Sequence, residues 1–86
     1  MKITIFRRLD KMKTFTVLLS SINDVKNFVN VVTKYDFEID LTSGRYIVDA
    51  KSIMGIFSLD LSKPIKVEAH SEDCEQLLSE LAPYIQ

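Results

Sequence analysis

Polar and apolar residues alternate most cleanly from Asp36 to Thr42. Phe37, Ile39 and Leu41 fall on one side, and Glu38, Asp40 and Thr42 on the other. This period of two predicts a half-buried strand of an antiparallel sheet with one wet face. Tyr46, Val48 and Ala50 repeat the pattern on a return strand. Ser43-Gly44 makes the turn between them, since glycine takes positive φ at little cost. Ile65, Val67 and Ala69 alternate again after Pro64. Lys13 to Leu19 reads as a further strand from its β-branched and aromatic residues, Thr14, Phe15, Thr16 and Val17. Two stretches have helical spacing instead. Ile22, Val25, Phe28, Val29 and Val32 share one face behind an N-cap offered by Ser20-Ser21. Asp24 near its start and Lys34 near its end suit the helix dipole. Cys74, Leu77, Leu78, Leu81 and Ile85 form a second such face. Ser71 is its expected cap, Glu72, Asp73 and Glu75 its acidic first turn, and Pro83 its end or distortion.

Between the third and fourth strands lies Lys51 to Leu59, read as a third helix with Ser52 where a capping hydroxyl belongs. Ile53, Met54, Ile56, Phe57 and Leu59 cover both faces of so short a helix. Only one face can pack on a sheet, so the other stays wet and marks a docking surface. Met54 suits its centre because methionine adapts to irregular contacts.

The order is βαββαβα. Four alternating strands each need one covered face, and three helices supply the cover. The fold class is α+β, a two-layer open-faced β-sandwich with a four-stranded antiparallel sheet. The domain runs over residues 13–86. Residues 1–12 are an N-terminal extension, either an added short strand at Ile3 to Phe6 or a mobile arm.

Composition narrows the class. The 86 residues make one domain with one small core, and 47% apolar content is too high for disorder. A net charge of −1 gives no general affinity for nucleic acid. Residues 1–34 carry seven Lys/Arg and two Asp/Glu, and residues 35–86 carry four and ten. This asymmetry reads as two solvated faces of opposite sign. The single cysteine allows no internal disulfide and fits a reducing cytoplasm. No apolar run approaches the roughly 18 residues needed to span a bilayer. Met1 to Ser21 mixes basic residues with Val17-Leu18-Leu19, but Asp10 and Lys11 interrupt it and no cleavage site follows. No secretory leader is expected.

The chain resembles the HPr family, the small phosphocarriers of the bacterial sugar phosphotransferase system. Lys34-Tyr35-Asp36, the Ser43-Gly44 turn and Lys51-Ser52-Ile53-Met54-Gly55 carry the likeness, which runs ungapped from about Lys34 to Ala69. In that family a serine before Ile-Met-Gly is phosphorylated by HPr kinase, and the apolar residues after it contact partners. The resemblance therefore implies a regulatory phosphorylation site at Ser52 and a partner surface of Lys51, Ile53, Met54 and Phe57. It implies HPr kinase and a transcriptional regulator as partners, in carbon catabolite repression.

The chain departs from the family at the first helix, where phosphocarriers have Gly-(Ile/Leu)-His-x-Arg-Pro. Aligned back from Lys34, the histidine position is Ser21, the arginine position Asn23 and the proline position Asp24. The preceding loop is also about three residues short. A neutral serine is a poor nucleophile without a base, and Asp24 repels a phosphoryl group. The likeness is thus strongest to catabolite-repression members that lack the histidine. Two family glycines are also replaced, by Asp60 and Pro64, which alters the expected loop.

No enzyme activity, cofactor or metal is expected. His70 and Cys74 are four residues apart, but His70 ends a strand, and two ligands do not make a zinc site. The expected protein is a cytoplasmic regulatory or protein-binding module without phosphocarrier activity. Its rivals are a degenerate interaction domain that is never phosphorylated, and a phosphocarrier that uses another residue.

Overall fold

All four predicted strands form, with ends shifted by up to three residues, in a computed structural model that describes residues 12–86. β1 is Met12–Val17, β2 Ile39–Ser43, β3 Tyr46–Asp49 and β4 Ile65–His70. They pair antiparallel in the order β1-β4-β2-β3. Val17, Ile39, Leu41, Ile65, Val67 and Ala69 point from one sheet face into the core. The polar residues between them line the other face, so the sheet is open on one side. The extension expected at residues 1–12 lies outside the described residues except for Met12, which begins β1.

Three helices cover the inner face: α1 Ile22–Val32, α2 Ile53–Phe57 and α3 Glu75–Glu80. A short 3-10 turn at Ala82–Tyr84 follows, with Pro83 inside it. Val25, Phe28 and Val32 bury the sheet-facing stripe of α1, Ile56 that of α2, and Leu77 that of α3. The C-terminus then returns along β1: Leu18 N–H donates to the Tyr84 carbonyl, and Gln86 N–H to that of Thr16.

Several local expectations change. Phe37 precedes β2 and is only half-buried. The two-residue turn is Gly44-Arg45, because Ser43 pairs with Tyr46. Gly44 has φ 60°, which fits a type II′ turn with glycine at its first central position. Ser71 does not cap α3; its hydroxyl accepts from Asp73 N–H in the preceding turn, and the helix begins only after Cys74. Glu75 alone of the acidic run lies in the first helical turn. At the replaced glycine, Asp60 closes its loop by accepting from both Ser62 N–H and Ser62 Oγ. These bonds hold its carboxyl below the usual range. Among the described residues none but Gly44 has positive φ, so this loop needs no glycine.

Lys34 lies past the end of α1 and does not sit in its last turn. Its ammonium and the Tyr35 hydroxyl both donate to the Glu80 carboxylate, which joins the exit of α1 to α3. The bond to Glu80, burial and the nearby carboxylate charge push the Tyr35 phenol from 10.0 up to about 12. Glu80 is correspondingly held below the usual carboxylate range by Lys34 and Tyr35. A raised pKa means that the tyrosine's contribution to stability is complete below pH 10.0 and is lost as pH rises through about 12. The glutamate's contribution is present above its ordinary pKa and fades as pH falls through the depressed one. One of the three tyrosines is therefore expected to ionise late in ultraviolet difference titration, and Glu80→Gln to return it toward 10.0. A Tyr35 that titrates with the others in the parent protein would contradict the contact.

Candidate functional site

Ser52 takes extended backbone, φ −103° and ψ 104°, and its Oγ accepts from Gly55 N–H at 3.2 Å. This is an N-cap, and the helix starts at Ile53, the first residue of the apolar run. Ser58 closes the other end of α2 in the opposite sense, its Oγ donating to the Gly55 carbonyl at 2.6 Å. Gly55 is needed for close approach. A Cβ there would meet Val48 Cβ at 3.2 Å and Ser52 Oγ at 3.3 Å, so a larger residue would push the helix off β3 and crowd the capping hydroxyl. The Ser52 residue is exposed, and its hydroxyl can accept from Gly55 while its proton points elsewhere.

The helix divides its apolar residues. Ile56 is fully buried and Leu59 nearly so, while Met54 is 78% exposed and Phe57 41% exposed. Ile53 lies between these groups, half-buried against the core. Ile22 joins the exposed set at 63%, at the start of the helix that α2 packs against. The helical spacing had placed Ile22 with the core face. It stands in the first turn of α1, short of the cover the later turns receive. Tyr46 was likewise read as inward-facing but is 72% exposed, because β3 is an edge strand.

Lys51 does not lean toward Ser52. Its ammonium donates to the carbonyls of Tyr35 at 2.6 Å and Phe37 at 3.1 Å. It thereby ties the chain before α2 to the chain before β2. Its charge is directed at that loop, a role that sequence spacing gives no hint of.

Ser21 is the N-cap of α1, and its Oγ accepts from Asp24 N–H at 3.0 Å. The Asp24 carboxylate folds back to accept from Ser20 N–H and Ser20 Oγ, each at 3.1 Å. This is close to a capping box, but the carboxylate reaches the residue before the cap instead of the cap itself, and it leaves a negative charge at the helix start. An anion would ordinarily be drawn to such a terminus; here a carboxylate already occupies it.

His70 ends β4 on the open sheet face, at the opposite end of the sheet from Val17 and the start of α1. Its Nε2 lies 3.1 Å from Asp40 Oδ2. Cys74 is buried, and burial pushes its thiol up, so it is neither paired with His70 nor activated as a nucleophile. Among the described residues no helix is long and apolar enough to cross a membrane.

The profile of one protein family, described as the PTS HPr component phosphorylation site, matches residues 23–86. No curated protein matches the sequence. Two solved structures share the fold over most of their lengths. One is HPr-C-His from Thermoanaerobacter tengcongensis, 28% identical with a TM-score of 0.69, over 83% of this chain and 88% of that one. The other is a phosphocarrier protein HPr from Bacillus anthracis str. Ames, 28% identical with a TM-score of 0.67, over 87% of this chain and 98% of that one.

Proposed function

The chain belongs to the HPr family of the phosphotransferase system, and from that premise we propose that it is a cytoplasmic regulatory, protein-binding member that relays no phosphate. The observation that carries this reading is the start of α1. Ser21 stands where the family's histidine would be, and the Asp24 carboxylate takes up the adjacent backbone and hydroxyl donors.

Regulation falls to Ser52. The support is an exposed hydroxyl in the Lys-Ser-Ile-Met-Gly segment, beside the exposed Met54 and Phe57. A phosphate there adds close to two negative charges at the edge of an apolar patch, which changes partner choice by charge and desolvation. A second reading has its own support. Lys51 gives its protons to two backbone carbonyls, so the cation next to Ser52 in sequence is not aimed at it, which fits a domain that is never phosphorylated.

Treatment with HPr kinase and ATP separates the two. Mass spectrometry is expected to place phosphate on Ser52, and Ser52→Ala to abolish it. Label that persists in Ser52→Ala, on Ser21 or Ser58 for example, would refute the site. No label at all would leave the binding module without this switch.

A further inference from the structure

The chain's one histidine is unused by the function just described, and it lies in a distinctive place. Glu68 on β4 stands directly opposite Asp40 on β2, and Asp40 stands directly opposite Asp49 on β3. Three carboxylates therefore form one row across three adjacent strands of the open face. Like charges placed directly opposite each other destabilise a sheet. The protein's own cations offset this row only in part. Lys66 Nζ is 3.4 Å from Glu68 Oε2 on the same strand, and Lys51, which borders the depression beside Asp40, is committed to backbone carbonyls.

His70 adds a nitrogen ligand to this row. One ligand atom from each of Asp40, Glu68 and His70 lies within 4.8 Å of the other two. The two carboxylates are only 31% and 22% exposed and the imidazole 41%, so the donors are partly shielded but open to an entering ion. All three project from strand backbone, a firmer support than a loop. Glu38, Asp40, Asp49 and Lys51 line a depression of about 260 Å³ next to this group, so Asp40 also borders open space.

We infer that Asp40, Glu68 and His70 form a binding site for a divalent ion of the zinc class. Two carboxylates and one imidazole match a borderline ion better than magnesium or calcium, which prefer all-oxygen shells. Metal bonds of about 2.0–2.2 Å require small movements of three surface side chains. Water completes the coordination. The ion neutralises the carboxylate row and links β2 to β4. Along the sequence His70 had only Cys74 at ligand spacing, and its place at a strand end argued against a metal; it is strand pairing that assembles these ligands.

The test is calorimetric titration of the untagged full chain with Zn²⁺ alone, with Mg²⁺ in parallel. One-to-one Zn²⁺ binding is expected, with a shift of the His70 imidazole resonances and a higher melting temperature. His70→Ala and Asp40→Asn are each expected to lower the Zn²⁺ affinity by at least about tenfold. Both positions are outside the core, and circular dichroism verifies that each variant folds. Zn²⁺ that binds no better than Mg²⁺, or that binds both variants as it binds the parent, would overturn the site.

Discussion

Ile56→Asp is expected to unfold the domain, while Met54→Asp melts close to the parent protein. The two positions are two residues apart on the same short helix. Ile56 is fully buried and Met54 is 78% exposed. Removing a buried isoleucine forfeits about 1.5–3 kcal/mol of apolar burial. Placing an unpaired carboxylate in the same site costs several kcal/mol more. A small domain has only about 5–15 kcal/mol of stability, so the sum removes most or all of it. Met54→Asp disturbs no core contact and belongs with surface changes of within about 0.5 kcal/mol. If Met54 is the centre of a partner surface, its loss forfeits about 1.5–3 kcal/mol at the interface. That corresponds to a tenfold or greater loss of affinity. Thermal melts of both variants and a titration with the partner measure the two effects. A Met54→Asp protein that melts as badly as Ile56→Asp would make Met54 a core residue and remove the main support for docking there.

The second large effect is a missing activity. Incubation with labelled phosphoenolpyruvate and catalytic amounts of the system's first enzyme is expected to leave the protein unlabelled. The hydroxyl of Ser21 is already a cap acceptor for Asp24 N–H, and among the described residues none accepts a hydrogen bond from it. The Asp24 carboxylate is held at the same helix start by two bonds from Ser20. An incoming phosphoryl group meets a like charge where a phosphocarrier offers free donors. His70 has the right chemistry in the wrong place, on the open sheet face and bonded to Asp40. Acid-labile phosphohistidine that disappears in His70→Ala, or passage of label to a sugar transporter component, would defeat this reading.

Much of the fold was legible because its signals are local. Period-two alternation sets which side of a strand is apolar, and each of β2 and β4 buries the residues that the alternation marked. Ser21 and Ser52 act as caps where a hydroxyl precedes an apolar helical run. Ser71 has the same signature and fails, because its hydroxyl is taken up in a turn with Asp73 before the helix starts. The capping pattern does not distinguish these outcomes, since both satisfy a nearby backbone donor.

By itself, then, the sequence determined the element order, the side of each strand that faces the core, and the absence of a histidine at the start of α1. Those properties depend on neighbours a few residues away or on residue identity alone. The tertiary structure decided what depends on distant partners. The order β1-β4-β2-β3 puts Asp40 between Glu68 and Asp49 and brings His70 to it from thirty residues away. Met54, the expected centre of the wet face, does stay in water, but the packing of α2 decided how far its neighbours follow it, with Ile53 half-buried against the core and Phe57 41% exposed. The Lys51 ammonium turned toward the Tyr35 and Phe37 carbonyls because the approach to β2 passes within its reach. Periodicity records which face a residue prefers, whereas pairing and reach are set by chain segments that meet only when the sheet closes.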